Sequence, residues 1–124
     1  FVAKNEYECM DYIKTLLSYI PQNNTEEPSI VSNDDDPNRL DHNLINILPE
    51  DSLKPYDMKE IIHSIVDNHN FFEVHELFAQ NIIVGFARMN GKTIGIVASQ
   101  PLFLAGALDI DSSNKASRFI RFCD

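Results

Sequence analysis

The sequence has few residues of several types, and each shortage excludes a class of protein. It contains no tryptophan and only 2 cysteines in 124 residues. Cys9 and Cys123 are too few and too far apart for the disulfide framework that stabilises small secreted domains. We therefore expect two reduced thiols, as in a cytoplasmic protein.

Basic residues are also scarce, with 10 Lys and Arg against 19 Asp and Glu and a formal net charge of −9. A nucleic-acid-binding surface requires a basic patch, so this balance argues against a nucleic-acid partner. No apolar run approaches the roughly 20 residues of a membrane-spanning helix. The opening residues, Phe1 to Lys4, lack the basic and then apolar order of a signal peptide. The absence of an initial Met fits an excised fragment.

The residue patterns of common catalytic and metal sites are missing as well. The four histidines show neither HExxH spacing nor a cysteine at ligand distance, and they are His42, His63, His69 and His75. No G-x-S-x-G elbow surrounds a serine, and Cys123 falls on the apolar face of its helix. We therefore expect no metal site and no side-chain nucleophile.

The most informative stretch runs from Asn81 to Asp124. Asn90-Gly91 is the dipeptide that best closes a tight hairpin, and β-branched residues follow in a return strand from Lys92 to Val97. Gly95 lies inside that strand, where glycine usually marks a bulge or the close approach of another backbone. The sequence predicts a β-hairpin followed by a loop of small residues.

A closing amphipathic helix is predicted after this loop. Asp111 or Ser112 can cap it, and its apolar face has helical spacing at Ala116, Phe119, Ile120 and Cys123. A basic edge follows the same helix, formed by Lys115, Arg118 and Arg121. We interpret this edge as a solvated face near a helix C-terminus rather than a surface for an anionic partner.

The N-terminal half alternates predicted helices with polar segments. A helix from Asn5 to Ile20, capped by Asn5, has an apolar stripe at Tyr7, Met10, Ile13, Leu17 and Ile20. The polar run from Pro21 to Asn38 predicts a linker, and its three consecutive aspartates, 34–36, favour a solvated charge run.

Three further elements are predicted before the hairpin. One or two helical turns are expected within Leu40 to Leu48. A helix from Met58 to Asp67, capped by Asp57, has a buried face of Ile61, Ile62, Ile65 and Val66. A strand is expected within Phe71 to Phe78.

Several linked motifs carry a family resemblance. They are GFARMNGKTIGIVASQP, AGALDID and KASRFIRFCD, preceded by LLSYIPQNN, DPNRL, LKPYDMKEII and FFEVHELFAQNIIVGFAR. Together they resemble the carboxyltransferase subunits of biotin-dependent acyl-CoA carboxylases, above all the propionyl-CoA carboxylase β-subunit type. The α-subunits of biotin-dependent, sodium-pumping acyl-CoA decarboxylases share the pattern. Ser99 departs from it, because the family usually has Asn there.

The resemblance implies a crotonase-like (ClpP/crotonase) α/β fold of repeated β-β-α units, with only the opening part of the second domain present. Residues 1–28 would be the tail of the first carboxyltransferase domain and its linker. Residues 29–124 would form the N-terminal part of the second domain.

The activity that the resemblance implies is carboxyl transfer from carboxybiotin to the α-carbon of an acyl-CoA resembling propionyl-CoA or acetyl-CoA. Biotin would be carried by a partner, a biotin carboxylase or biotin carrier subunit, and the intact enzyme would be a hexamer. It would lie in the cytoplasm, or in the mitochondrial matrix of a eukaryote. Two alternatives stay open: the α-subunit of a methylmalonyl-CoA or glutaconyl-CoA decarboxylase, and an inert assembly module.

The small-residue loop is the candidate site. Enolate chemistry needs two backbone N–H groups directed at one developing oxyanion, and small residues let a ligand approach them. Ala105, Gly106 and Ala107 meet this requirement, although the residues alone favour a tight packed turn. By resemblance to the AGAD loop of crotonase-fold enzymes, Ala107 would donate one oxyanion amide beside Gly106, and all three residues would face biotin. The second donor would lie beyond Asp124.

Overall fold

The computed structural model describes residues 1–51 and 54–124 of the chain. Its elements are helices α1 (Glu6–Tyr19), α2 (Leu44–Ile47), α3 (Met58–Ile65) and α4 (Ile110–Cys123), and strands β1 (Phe71–Val74), β2 (Ile82–Met89) and β3 (Lys92–Ser99). The strands form one antiparallel sheet in the order β1-β2-β3. This sheet and its closing helix α4 confirm the predicted order of strand, hairpin, loop and helix.

Strand β2 is the centre of the core because both of its faces are covered. Val84 and Phe86 on one face pack with Tyr19 of α1 and Phe119 of α4. On the other face, a second cluster joins β2 to α3 through Ile62, Val66, Ile83 and Ala87. Side chains alternate between the faces of a strand, so a strand buried on both sides is an almost continuous apolar run. The sheet therefore lies between α3 on one side and α1 and α4 on the other.

The predicted hairpin turn is confirmed. β2 ends at Met89 and β3 begins at Lys92, with Asn90 and Gly91 at positive φ angles of 50° and 76°. Both turn N–H groups donate to the carboxylate of Asp67, over 2.9 Å from Asn90 and 2.7 Å from Gly91. The turn is thus tied to the segment that follows α3.

Gly95 does not mark a bulge, because the β2–β3 register continues without interruption and pairs it with Phe86. The close neighbours are side chains of α4 rather than another backbone. A Cβ at Gly95 would lie 2.9 Å from Cys123 Sγ and 3.3 Å from a ring carbon of Phe119. The glycine lets α4 lie close to the sheet.

The two predicted helix caps in the N-terminal half are confirmed. The Asn5 side chain accepts a hydrogen bond from Glu8 N–H, and the Asp57 side chain accepts one from Lys59 N–H. Helix α3 ends at Ile65, two residues before its predicted end, and Ile65 itself is exposed. The short helix α2 lies within the predicted range.

Most of the predicted apolar stripe of α1 is exposed, and of its members only Ile20 is half-buried. Tyr7, Met10, Ile13 and Leu17 are all exposed. The helix instead packs through Leu16 and Tyr19, and Arg88 of β2 stacks 4.3 Å from the centre of the Tyr19 ring. The periodicity identified the helix correctly, but its most apolar face is uncovered among the described residues.

The segment from Pro21 to Asn38 forms neither a helix nor a strand, as predicted for a linker. Its aspartates are not simply a solvated run. Asp35 pairs with Arg39 at 2.9 Å and accepts a hydrogen bond from Asn68 N–H at 2.8 Å. Val31 N–H also donates to the Gly91 carbonyl at 3.0 Å. The segment is therefore fixed to the turn end of the hairpin.

Candidate functional site

The loop of residues 100–109 leaves β3 and returns the chain to α4. Its centre, Leu104–Gly106, is a tight turn in which three successive residues have left-handed φ angles of 50°, 52° and 72°. The left-handed region costs about 1–2 kcal/mol for each residue with a side chain. Leu104 and Ala105 thus hold a strained backbone at the position where the sequence predicts the site.

Two of the three predicted site residues use their N–H groups inside this turn. Gly106 N–H donates to the Phe103 carbonyl and Ala107 N–H to the Leu104 carbonyl, both over 2.9 Å. Ala105 and Ala107 are exposed, and Gly106 is half-buried. In this conformation a ligand oxygen would have to share the Ala107 N–H with Leu104 or replace that bond.

Large apolar side chains surround the turn, and most of them are uncovered. The exposed residues are Leu102, Phe103, Leu104, Leu108 and Ile110. A contiguous exposed apolar surface is typical of a region that contacts a ligand, another segment or another chain. The loop therefore lies on a face that the described residues leave open.

The first residue of the loop is held against α3. Gln100 is only 2% exposed, and its side-chain amide donates to the Asp57 carboxylate at 2.7 Å while its carbonyl oxygen accepts from Met58 N–H at 3.1 Å. The same carboxylate caps α3. The start of the loop is thus fixed by α3, which packs on the face of the sheet opposite to α4.

The far end of the loop is held by Asn81, which immediately precedes β2 and is 3% exposed. Its side-chain amide donates to the Ala107 carbonyl at 2.7 Å and approaches the Asp109 carboxylate at 3.4 Å. The Asn81 carbonyl accepts from Gln100 N–H at 2.9 Å, which extends the β2–β3 pairing by one position.

Asp109 begins α4 with a capping box, so the predicted caps Asp111 and Ser112 are wrong. The Asp109 carboxylate accepts from Ser112 N–H at 2.9 Å, and the Ser112 hydroxyl accepts from Asp109 N–H at 2.8 Å. Hydrogen bonds from the Ser112 backbone, the Ser112 hydroxyl and the Asn81 amide lower the pKa of Asp109. The cap of the helix therefore lies two or three residues before the predicted positions.

Lys115 corrects the interpretation of the basic edge. It is 3% exposed, and its ammonium group donates to the carbonyls of Phe78 and Ile82 at 2.8 Å and of Ala79 at 3.3 Å. Burial lowers the pKa of its side chain. Arg118 and Arg121 are exposed, as expected of a solvated face.

Sequence reasoning missed both Asn81 and Lys115 as residues that shape the site. Lys115 had a detectable signal, because Ser112, Lys115 and Phe119 share the helical spacing of one face and all three are buried. Asn81 gave no such signal in the sequence, because a polar residue before an apolar run is the ordinary pattern of a strand boundary.

Two of the four histidines bond to the backbone through their rings. His63 and His69 each pair a ring nitrogen with the carbonyl of the other, at 2.7 and 2.8 Å. Among residues 1–51 and 54–124, no group of three or more His, Cys, Asp or Glu side chains could hold a metal ion. Within the same residues, none of the helices is both long and apolar enough to cross a membrane.

Comparison with known proteins identifies relatives of the whole chain. The chain is 49% identical over 121 residues to the propionyl-CoA carboxylase beta chain of Roseobacter denitrificans, which covers 98% of this chain and 24% of that protein. It is also 49% identical over 124 residues to the methylmalonyl-CoA decarboxylase subunit alpha of Veillonella parvula, covering 100% of this chain and 24% of the relative. The chain thus spans about a quarter of the length of these relatives.

A solved structure shares the fold closely. The chain superimposes on a crystal structure of the transcarboxylase 12S hexamer, with hydrolysed methylmalonyl-coenzyme A bound, at a TM-score of 0.94. The sequences are 43% identical, and the match covers 99% of this chain and 24% of the other. The fold is therefore the crotonase-like α/β fold of carboxyltransferases, present as a partial domain.

The sequence profile of the carboxyl transferase domain matches residues 1–124, which is the whole chain. The chain belongs to the carboxyl transferase domain family.

Proposed function

We propose that the full-length protein carrying this chain moves a carboxyl group from carboxybiotin to the α-carbon of an acyl-CoA. In this transfer the N–C bond of carboxybiotin breaks, a C–C bond forms at the α-carbon, and the α-proton ends on the biotin nitrogen. The observation that supports this most strongly is the family match over all 124 residues, together with 49% identity to a propionyl-CoA carboxylase beta chain.

The proposal includes the assembly. A biotin-carrying partner subunit would deliver carboxybiotin, and copies of the full-length protein would form a hexamer like the transcarboxylase 12S core. The protein would lie in the cytoplasm, or in the mitochondrial matrix of a eukaryote, and the name of the relative from Sus scrofa carries the word mitochondrial. Residues 1–28 would close the first domain and residues 29–124 would open the second, with the irregular segment after α1 between them.

The acyl-CoA decarboxylase α-subunit is the second candidate, because the relative from Veillonella parvula is equally similar at 49% identity. It would use the same carbon and the same biotin nitrogen, with the carboxyl group moving from acyl-CoA to biotin. Either role gives one common half-reaction to measure.

The experiment is a carboxyl-exchange assay on the purified full-length protein, with carboxyl-labelled methylmalonyl-CoA as donor and free biotin as acceptor. We expect labelled carboxybiotin to form. No exchange with methylmalonyl-CoA or malonyl-CoA, by a protein that is folded and binds coenzyme A, would contradict the proposal.

The isolated 124-residue chain is the informative control. It lacks three quarters of the length of its relatives, so we expect it to catalyse no exchange. Exchange by this chain alone would show that the site does not need residues outside it.

Within the site, we propose that the loop presents a backbone N–H to an enolate oxygen, with Ala107 as the donor that the family position implies. Gly106 would supply the sharp turn, and Ala105 would leave room on the biotin side. The small residues, the strained turn and the open apolar surroundings support this assignment. The bond from Ala107 N–H to Leu104 would have to be shared or exchanged when the ligand binds.

Ala107→Pro tests this donor directly in the full-length protein. Ala107 has a φ of −68°, which proline adopts, so the change removes the N–H with little change in the backbone angle. Loss of an oxyanion donor lowers kcat by about a hundredfold or more. Ala107→Gly, which keeps the N–H, is the matched control and should stay near the parent rate. A folded Ala107→Pro protein with the parent kcat would exclude Ala107 as the donor.

A further inference from the structure

Asn81 is a buried amide side chain that reaches out of the sheet into the candidate loop. It lies one residue before β2, opposite Gln100, and is held there by the hydrogen bond from Gln100 N–H to its own carbonyl. Its side-chain nitrogen lies 2.7 Å from the Ala107 carbonyl oxygen. The loop residue with the proposed N–H is thus fixed by its carbonyl to the end of the sheet.

This hydrogen bond determines how the Ala107–Leu108 peptide group is oriented. A trans peptide is planar, so its N–H points opposite to its carbonyl. With the Ala107 carbonyl directed at a side chain that is 3% exposed, the Leu108 N–H points away from the protein interior. Leu108 itself is 60% exposed. Among the described residues, none accepts a hydrogen bond from this N–H.

Lys115 binds the backbone both before and after Asn81. Its ammonium group takes the carbonyls of Phe78 and Ala79 before Asn81 and of Ile82 directly after it. Ala79 has a left-handed φ of 45°, a conformation that costs free energy and needs external support. The backbone that carries the Asn81 side chain is therefore tightly constrained.

From these contacts we infer that Asn81 is a positioning residue for the proposed carboxyl transfer, with Lys115 as its support. It fixes the peptide group that follows Ala107 and so restrains the residue whose N–H is the proposed donor. This inference rests on the proposed function. It predicts that Asn81 affects the rate of the chemical step more than the binding of acyl-CoA.

The first test is Asn81→Asp in the full-length protein, assayed by carboxyl exchange between methylmalonyl-CoA and free biotin. The new carboxylate has the same shape but cannot donate to the Ala107 carbonyl, and it repels Asp109. We expect kcat to fall about tenfold or more, because displacement by about an ångström can cost up to a hundredfold. KM for methylmalonyl-CoA should stay within about twofold of the parent value, since the proposed function assigns the loop to the biotin side of the site and not to the binding of coenzyme A.

Asn33→Asp is the matched control. It makes the same amide-to-carboxylate change in a half-buried side chain that donates to the Asp67 carboxylate, at the turn end of the hairpin and away from the loop. It should lower the melting temperature and leave kcat within about twofold of the parent at a temperature where the protein is folded. A purely structural role for Asn81 would make the two variants behave alike.

Asn81→Ala decides the question if Asn81→Asp does not fold, because it removes the donor without adding a charge. A folded Asn81 variant with parent kcat, or one that raises only KM, would overturn the inference and leave the proposed function standing. A folded parent protein that catalyses no exchange would overturn both.

Discussion

The two ends of the β2–β3 hairpin are built for different tasks. At the closed end, the Asn90-Gly91 turn donates both of its N–H groups to Asp67, and the segment around Val31 covers it. At the open end, Asn81 holds a loop that contains a strained turn and is surrounded by exposed apolar side chains.

The two ends differ in how their left-handed residues are supported. Both ends contain left-handed residues, but at the closed end Gly91 lies directly against the Val31 carbonyl oxygen, and a carboxylate accepts hydrogen bonds from the turn N–H groups. The open end accepts left-handed Leu104 and Ala105 instead and leaves its surface uncovered. Strain that persists at an open surface is typical of a functional site. Changes in the turn at the closed end should therefore alter stability, and changes in the loop turn at the open end should alter the rate.

The largest effect is expected from Gly106→Pro in the full-length protein. Gly106 has a φ of 72°, which proline cannot adopt, and the change also removes the N–H that donates to Phe103. The turn must reorganise and displace the amides that follow it. We expect kcat for carboxyl exchange to fall about a hundredfold or more, as for a lost oxyanion donor.

Circular dichroism and thermal unfolding must accompany this assay, because a misplaced proline can unfold its surroundings. Gly106→Ala is the graded control, since alanine adopts a left-handed φ at a cost of about 1 kcal/mol. Parent activity in a folded Gly106→Pro protein would mean that the turn is only a structural corner.

Lys115→Met should cause the largest loss of stability. The change keeps much of the side-chain volume but leaves the carbonyls that the ammonium group now binds without their donor. Each unsatisfied buried group costs about 1–3 kcal/mol, so we expect a loss of about 3 kcal/mol in urea unfolding. Lys92→Met, on an exposed lysine of β3, is the control and should be nearly neutral. Equal stability of the two variants would show that the buried contacts contribute little.

Gly91→Val tests the closed end. A β-branched residue resists the positive φ of 76°, and its Cβ would lie 2.2 Å from the Val31 carbonyl oxygen. We expect a loss of roughly 2 kcal/mol or more in the free energy of unfolding. Asn90→Gly, which relieves the neighbouring left-handed residue, should be neutral or slightly stabilising. An unchanged melting temperature for Gly91→Val would contradict the tight turn.

Asp109→Asn should give the smallest effect, and one that depends on pH. The folded-state pKa of Asp109 is lowered, so its carboxylate contributes stability above the ordinary value of 3.8, and that contribution is lost as pH falls through the folded value. Asn caps a helix nearly as well but carries no charge. We expect the parent to melt higher than the variant at pH 7, and the difference to shrink below about pH 4. A constant difference across this range would show that the charge is not involved.

Local rules predicted most of the fold. The Asn90-Gly91 turn and the caps Asn5 and Asp57 follow from backbone chemistry that acts over a few residues, and the structure confirms them. The start of α4 was wrong because Asp109 bonds to Ser112 within one turn, whereas the prediction placed the cap by the first apolar periodicity. Boundaries depend on a single hydrogen bond, which periodicity does not report.

The site was less predictable because its contacts are distant in sequence. Asn81 and Ala107 are 26 residues apart, and Lys115 and Phe78 are 37 apart. The sequence pattern around Lys115 predicts a solvated helix edge, because it does not show that the fold places backbone carbonyls around the ammonium group. The exposed stripe of α1 is the reverse case, because an apolar face indicates burial without identifying what covers it.

A paired measurement compares the loop turn at the open end of the hairpin, which we expect to contribute to the reaction rate, with the turn at the closed end, which we expect to contribute to stability. Gly91→Ala and Gly106→Pro are compared in the full-length protein for melting temperature and for kcat in carboxyl exchange, at a temperature where both are folded. We expect a lower melting temperature with near-parent kcat for Gly91→Ala, and a kcat about a hundredfold lower for Gly106→Pro. Equal kcat for the two folded variants would contradict this expectation.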